Sequence, residues 1–222
     1  MDSPDVEPDR FVGSLAGLRR VNFVTGSARM VWPAIAEFIE HTQRKPVRIL
    51  DIACGAGDTL VWLGRFAKRS GIEVDLAGCD VRPLAVDYAR DCAARSRLTA
   101  SFFTLDALRD PIPDDFDVLL SSLFLHHLDE DDAVSFLRRA GSATRGLLLI
   151  QDLVRSRAGY LLAAAGIPLL LCNDVCRKDG PASVEGAFSI TEARALAAQA
   201  GLEGARVEQR FPFRFLLGWE KP

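Results

Sequence analysis

The sequence predicts an α/β protein built on an open, mostly parallel β-sheet. Short apolar segments alternate with amphipathic segments of helical length between Val47 and Gln151. A glycine-rich turn, Gly55-Ala56-Gly57, follows the first apolar segment, and an acidic residue follows each of the next two. Such alternation is typical of β–α–β units with right-handed crossovers, which place parallel strands beside one another.

Apolar residues at the strand period or the helix period define each predicted element. The last two strands have little room for a helix between them, so we expect them to form an antiparallel pair. The predicted strands are Val47–Ile52, Val74–Cys79, Thr99–Thr104, Phe116–Ser121, Leu147–Gln151, Ala205–Gln209 and Phe213–Trp219. The predicted helices are Arg10–Val24, Ala28–His41, Gly57–Arg69, Pro83–Arg95, Asp129–Ala140 and Thr191–Ala200, the last capped by Thr191.

Length and composition favour a single globular domain. The chain has 222 residues, of which 49% are hydrophobic, and a net charge of −3. That charge comes without a basic stripe, which argues against a nucleic-acid partner. Five cysteines, with no regular spacing and no signal peptide, favour reduced thiols in the cytoplasm. The longest uncharged apolar run, Ala158–Cys172, is shorter than the roughly 20 residues of a membrane span.

The glycine turn after the first strand predicts a ligand site. Gly55 and Gly57 carry no Cβ, so a ligand can approach the backbone closely. The helix that follows offers free N–H groups and the positive end of its dipole. A nicotinamide fingerprint needs a third glycine where Leu60 stands, which disfavours an oxidoreductase. We therefore expect a ligand with carboxylate, hydroxyl or phosphate groups.

Acidic residues lie at the ends of the first three predicted strands. They are Asp51, Asp80 and Asp106. Because ligands of open α/β sheets bind at the carboxyl ends of the strands, these acids should line one crevice. A carboxylate accepts two hydroxyl hydrogen bonds, so Asp80 suits the ribose of a nucleoside. The alternative for Asp80 is a cap on the helix that begins at Pro83.

The pattern Asp51-x-Ala53-x-Gly55-x-Gly57 resembles the first motif of class I S-adenosylmethionine-dependent methyltransferases, with Ala53 where the family usually has glycine. The resemblance covers about Pro46–Pro222 and is closest to ubiquinone-type and natural-product small-molecule methyltransferases. It implies S-adenosyl-L-methionine as cofactor. It also implies a Rossmann-like seven-stranded, mostly parallel sheet with an antiparallel last strand, helices on both faces, N-terminal helices and a helical insertion after strand five.

The resemblance also implies which residues bind the cofactor. In the family, an acidic residue after strand three binds the adenine amino group, and Asp106 matches it. A weaker similarity of the segment Leu18–Asn22 to a bacterial group associated with aromatic polyketide synthesis suggests that Arg19 or Arg20 reaches the cofactor carboxylate or the substrate. The implied cofactor residues are Asp51, Ala53, Cys54, Gly55, Gly57, Asp80, Val81, Arg82, Asp106, Ala107, Ser121, Ser122 and Arg20.

Two histidines follow the fourth strand, and Asp152 follows the fifth. Some small-molecule O-methyltransferases of this layout pair a histidine and an aspartate at these places. We expect His127 to be the general base with Asp152 orienting it, and His126 is the alternative, since neighbouring side chains in an extended chain point to opposite sides. The acids 129–132 could complete a metal site, but they open the next helix, where its dipole favours them. No metal is predicted.

These patterns predict an enzyme that methylates an oxygen of a small, fairly apolar, phenolic or quinol acceptor. Methylation at carbon or nitrogen is the alternative reaction. A non-catalytic nucleoside-binding partner subunit is an alternative from another class of protein.

The predicted domain organisation has two parts. Residues 1–45 form an N-terminal tail and covering helices, and residues 46–222 form the methyltransferase domain. The segment at about 155–188 is longer than a plain crossover requires. We expect a helical lid over the acceptor, and the alternative is an interface in a homodimer.

Overall fold

The computed structural model describes residues 7–157, 159–160 and 182–222, and within them the chain forms one seven-stranded sheet. Its strand order is β3-β2-β1-β4-β5-β7-β6. Neighbouring strands pair parallel from β3 across to β5, and β7 runs antiparallel between β5 and β6. The predicted fold class is therefore confirmed. The strands are β1 (Val47–Ile52), β2 (Val74–Asp80), β3 (Ser101–Thr104), β4 (Val118–Ser122), β5 (Leu147–Leu153), β6 (Arg206–Arg210) and β7 (Arg214–Glu220).

The helices also lie close to their predicted bounds. Gly26, in the left-handed conformation, separates the first two. The last helix is capped by Ser189 and not by Thr191, because Ser189 and Glu192 form a reciprocal capping box. The helices are α1 (Pro8–Thr25), α2 (Ser27–Thr42), α3 (Asp58–Ser70), α4 (Pro83–Arg95), α5 (Glu130–Ala143) and α6 (Ile190–Gln199).

Helices cover both faces of the sheet, so its central strands are apolar on both sides. Val47 and Ile49 of β1 pack with α2, α3 and α4. Leu50 and Ile52 of the same strand pack with α5 and α6 on the opposite face. This alternation is the period of a strand, and it explains why β1 contains a nearly continuous run of buried residues.

Helix α1 packs on the glycine turn rather than on the sheet. Phe11 and Leu15 are buried against Ala56 of the turn and Ala85 of α4. The Arg82 guanidinium lies 4.1 Å from the centre of the Phe11 ring. The first helix therefore covers the crevice where the sequence predicts a ligand. Among the described helices, none is long and apolar enough to cross a membrane.

Most of the predicted lid falls outside the described residues, which omit residues 161–181. Its two ends lie together, because Val154 forms a parallel bridge with Phe188 and Arg155 N–H donates to the Phe188 carbonyl at 3.1 Å. The insertion therefore leaves and rejoins the domain next to the end of β5.

Candidate active site

The turn between β1 and α3 depends on three left-handed residues. Ala53, Gly55 and Gly57 have φ of 56°, 51° and 68°. A Cβ added to Gly57 would lie 3.1 Å from both the Ala89 Cβ and the Phe102 ring, so a side chain there would crowd the packing. Ala53 adopts this conformation despite its Cβ, which costs about 1–2 kcal/mol for an L-residue. The turn is closely packed and slightly strained at the place where the motif departs from glycine.

Asp80 ties the end of β2 to this turn. Its Oδ2 accepts a hydrogen bond from the Gly55 N–H and its Oδ1 one from the Arg82 N–H, both at 3.0 Å. Burial raises the pKa of Asp80, and the two backbone hydrogen bonds act in the opposite direction. Each oxygen retains a lone pair, so the carboxylate can still accept from hydroxyl groups of a ligand.

Asp51 is buried without satisfying its carboxyl group. The residue is 1% exposed, and its Oδ1 has no hydrogen-bond partner. Burial raises the pKa of Asp51 well above its ordinary value, and the negative charges of Asp58 and Asp80 raise it further. An unsatisfied buried polar group costs about 1–3 kcal/mol. A cationic ligand would remove this cost and the repulsion together.

Asp58, the first residue of α3, is an acid of the turn that the sequence reasoning missed. Burial raises its pKa to about 6. A hydrogen bond from the Asn22 side chain and the charges of Arg19 and Arg214 limit the rise. Its position directly after Gly57 in the motif was the signal that could have found it.

The remaining predicted cofactor residues lie along the same edge of the sheet. Asp106 follows β3 beside Asp80, and its Oδ1 accepts from the Leu108 N–H at 3.0 Å. Ala107 is buried and Val81 is exposed. Arg20 is exposed on α1, and it is the neighbouring Arg19 whose charge acts on Asp58.

Three further predicted residues lie where β1 and β4 end, and their polar side-chain atoms are buried. Ser121 Oγ donates to the Ile52 carbonyl at 2.9 Å. Ser122 Oγ is buried without a partner. Burial raises the pKa of the Cys54 thiol, so it remains protonated in the turn. The edge therefore combines acidic groups with one free hydroxyl.

A buried histidine–aspartate pair joins the ends of β4 and β5. His126 Nδ1 and Asp152 Oδ1 are 2.6 Å apart, and the His126 N–H donates to Asp152 Oδ2 at 3.1 Å. Burial acts to raise the pKa of Asp152. The charge and hydrogen bonds of His126, with the Leu153 N–H, outweigh it, so this pKa lies below its ordinary value.

We predicted that Asp152 orients His127, with His126 as the alternative, and in the structure it is the alternative, His126, that pairs with Asp152. Leu125–His127 form a 3-10 turn rather than extended chain, so the two histidine side chains are not on opposite sides of a strand. His126 turns inward to Asp152 and His127 is exposed, with the two ring centres 4.1 Å apart. In the part of the chain that the structure describes, there is no cluster of three or more metal-ligating side chains.

The fold and this site define a class of protein, and comparison with known families agrees. Residues 49–145 match a family model described as a methyltransferase domain. Residues 49–145 are therefore similar to a methyltransferase domain, and this similarity supports S-adenosylmethionine as the cofactor.

Two curated relatives share part of this sequence. The demethylmenaquinone methyltransferase of Deinococcus radiodurans is 38% identical over 81 residues, which are 36% of this chain and 31% of that protein. The ajmaline N-methyltransferase of Rauvolfia serpentina is 29% identical over 149 residues, which are 66% of this chain and 42% of that protein. The chain thus spans less than half the length of either relative.

Solved structures share the fold at low sequence identity. The magnesium protoporphyrin IX methyltransferase of Synechocystis, solved with bound S-adenosylhomocysteine, has a TM-score of 0.60 and 16% identity, with 89% of this chain and 84% of that chain covered. A methyltransferase dependent on S-adenosylmethionine from Aquifex aeolicus has a TM-score of 0.56 and 22% identity, with 80% and 83% covered. Both likenesses show the fold.

The site fits this cofactor. S-adenosylmethionine carries a sulfonium and an ammonium group. A positive charge is favoured at this edge, because Asp51 has an unpartnered Oδ1 and lies near the charges of Asp58 and Asp80. Its ribose offers the hydroxyl groups that the free lone pairs of Asp80 can bind. The buried acids therefore have the charge and the free acceptor atoms that such a ligand needs.

Replacing Asp51 with Asn tests whether the buried carboxylate lowers the stability of the ligand-free protein and raises its affinity for the cofactor. We expect the ligand-free Asp51→Asn protein to melt a few degrees higher at neutral pH, because the substitution removes a buried charge that Asp58 and Asp80 repel. For a chain of this size, 1 kcal/mol of unfolding free energy corresponds to roughly 2–4 °C in melting temperature. Its affinity for S-adenosylmethionine should fall about ten- to hundredfold, as for a lost charged hydrogen bond. Thermal melts and calorimetry measure both effects.

The stability difference should depend on pH with a definite sign. The folded-state pKa of Asp51 is raised, so its ionised carboxylate lowers the free energy of unfolding of the native chain at neutral pH. This destabilisation diminishes as the pH falls and is absent below the ordinary carboxyl pKa of about 4. Asp75→Asn, at an exposed position of β2, is the matched control and should change neither property. A less stable Asp51→Asn protein with unchanged affinity would contradict the assignment.

Replacing Ala53 with Gly tests the strain in the turn. The left-handed conformation is free of Cβ cost in glycine, which gains about 1–2 kcal/mol, less about 0.4–1 kcal/mol of unfolded-chain entropy. Urea unfolding should therefore show a gain of up to about 1 kcal/mol. Ala56→Gly, a buried residue without positive φ in the same turn, should lose stability. Equal losses in both variants would show that Ala53 is unstrained.

Proposed function

We propose that the protein transfers the methyl group of S-adenosylmethionine to an oxygen of a small, fairly apolar acceptor, a phenol or quinol. The observation that carries this proposal is the buried pair of His126 and Asp152 at the carboxyl ends of β4 and β5. A phenol is a weak nucleophile until it loses its proton, so a base beside the acceptor is the group that this reaction needs.

His126 is suited to be that base. Asp152 holds its Nδ1, which selects the tautomer whose Nε2 lone pair can accept a proton. The lowered pKa of Asp152 keeps the carboxylate ionised, so it can stabilise the imidazolium that forms. His127, which is exposed at the end of the 3-10 turn, is not proposed for this role.

The other residues of the site bind and align the reactants. The cofactor, when bound, supplies an electrophilic methyl group on a sulfonium. Asp51, Asp80 and the glycine turn hold its charged and hydroxyl groups, while α1 excludes water above them. Alignment of two reactants can contribute roughly 7–11 kcal/mol, so positioning is proposed to supply most of the rate.

The described ends of the insertion support a lid over the acceptor. Val154 and Phe188 bridge two residues past Asp152, and a Cβ on Gly186 would lie 2.8 Å from the His126 carbonyl. Both ends therefore flank the histidine–aspartate pair. The apolar run Ala158–Cys172 is proposed to line the acceptor pocket, and a contact with a second copy of the chain is the alternative use of that run.

Methylation of nitrogen is the second candidate reaction. The Rauvolfia relative is named as an N-methyltransferase of ajmaline. A neutral amine already presents a lone pair, so it needs no base before it attacks. The name of the Deinococcus relative, which acts on demethylmenaquinone, supports an acceptor of the quinone class.

His126→Gln and His127→Gln together test the reaction. Transfer of isotope-labelled methyl to a panel of phenols, quinols and amines identifies the accepted class. With a phenolic acceptor, His126→Gln should lower kcat about 10²–10⁴-fold, the usual contribution of a general base. Its affinity for S-adenosylmethionine should stay within about twofold, since it removes no group at the cofactor crevice.

Two outcomes would contradict this function. A larger loss in His127→Gln than in His126→Gln would restore His127 as the base. Transfer to amines alone, with His126→Gln as active as the native chain, would establish nitrogen as the acceptor atom.

A further inference from the structure

We propose that Arg214 and Asp58 form a clamp for the α-amino acid end of the cofactor, with Arg214 binding its carboxylate and Asp58 its ammonium. The inference rests on S-adenosylmethionine as cofactor and is independent of which acceptor or atom is methylated. The similarity of the segment Leu18–Asn22 suggested Arg19 or Arg20 for the cofactor carboxylate or the substrate, so this assignment gives the carboxylate a contact from the last strand instead of the first helix.

Arg214 is an arginine buried among neutral partners. It is 2% exposed at the start of β7, opposite Leu153 of β5. Its Nη1 donates to Ser27 Oγ at 2.5 Å and to the side-chain oxygen of Gln151, whose amide is oriented by these neighbours. The same amide donates to the Ser27 carbonyl at 3.2 Å. These bonds fix one edge of the guanidinium and leave it without a direct ion pair to a carboxylate.

No carboxylate pairs directly with Arg214 in the described part of the chain. Asp152 and Asp58 act on it only through their charges, and no ion pair of 4.0 Å or less joins it to either. Burial lowers the pKa of Arg214 to about 10. A buried guanidinium with only neutral hydrogen-bond partners is unfavourable unless an anion completes the site. A carboxylate fits best, because it can take two parallel N–H bonds from the remaining edge.

Asp58 supplies the opposite charge across a gap. It begins α3 directly after the glycine turn and is 9% exposed. Asn22 connects it to Arg214, because Asn22 bonds Asp58 and its Oδ1 accepts from Ser27 Oγ at 3.3 Å, the hydroxyl that Arg214 also contacts. Ser27 and Asn22 therefore hold the two charged groups in one framework without letting them touch.

A zwitterion carries one partner for each of these two charges. An amino acid presents an ammonium and a carboxylate on one carbon, and it would complete both half-sites at once. The unpartnered Oδ1 of Asp51, whose pKa the charge of Asp58 raises, lies on the ammonium side of the clamp. Both buried charges then gain a partner in the same binding event.

Comparing the affinities of two nucleosides distinguishes binding by the clamp from binding by the rest of the cofactor site. S-adenosylhomocysteine carries the amino acid, and 5′-methylthioadenosine lacks it. Arg214→Gln should weaken S-adenosylhomocysteine about ten- to hundredfold in calorimetry and leave 5′-methylthioadenosine within twofold, as expected for loss of a charge-assisted bond. Asp58→Asn should show the same selectivity. Arg206→Gln, at an exposed position of β6, should change neither affinity.

Analogues of the ligand make the test independent of folding defects. The native chain should bind S-adenosylhomocysteine about ten- to hundredfold more tightly than its decarboxylated analogue. Arg214→Lys, which keeps the charge but loses the planar fork, should bind the two with a smaller ratio, and it replaces Arg214→Gln if that variant does not fold.

Three results would overturn the clamp. They are equal weakening of both nucleosides by Arg214→Gln, equal binding of both analogues by the native chain, and an unchanged analogue ratio in Arg214→Lys. Equal weakening of both nucleosides would show that Arg214 has a structural role, through its hydrogen bond to Ser27 of α2. None of these measurements involves an acceptor. The clamp and the proposed oxygen methylation can therefore be confirmed or contradicted independently of each other.

Discussion

The burial of like charges at one edge of the sheet is the constraint on which this site depends. Parallel strands bring their carboxyl ends together, and this sequence ends or follows them with Asp51, Asp58 and Asp80. In the domain interior these groups repel, and Asp51 keeps an oxygen without a hydrogen bond. This repulsion destabilises the ligand-free domain, and a cationic cofactor bound at this edge would recover that free energy. Stability and affinity are therefore set by the same side chains.

Local patterns were sufficient to predict the elements and the edge of the sheet along which the acidic residues lie. Strand and helix periods depend on neighbours in sequence, and the glycine turn is a contiguous motif, so both are visible without a structure. The choice between His126 and His127 could not be made from the sequence, because it depends on whether the chain after β4 is extended or forms a 3-10 turn. A three-residue change of backbone conformation reverses which side chain faces Asp152, and composition does not determine it.

The role proposed for Arg214 could not be predicted from sequence for a different reason. Its partner Ser27 is 187 residues away, and only the sheet order brings them together. Because β7 is inserted antiparallel beside β5, it begins where β5 ends, at the ligand edge. The reversed strand thus delivers its first residue to the crevice, whereas a parallel strand would deliver its last. Asp58, by contrast, lies within the motif and was visible there.

Arg214 also lies between the two chemical halves of the site. Its charge acts on Asp58 at the cofactor end and on Asp152 at the acceptor end, beside the proposed base. If a cofactor carboxylate neutralises the guanidinium, Asp152 loses a stabilising positive charge, and its hold on the His126 proton strengthens. A more strongly held imidazole is a better proton acceptor. In the proposed reaction, these electrostatics would favour deprotonation of a phenolic acceptor once the cofactor is bound.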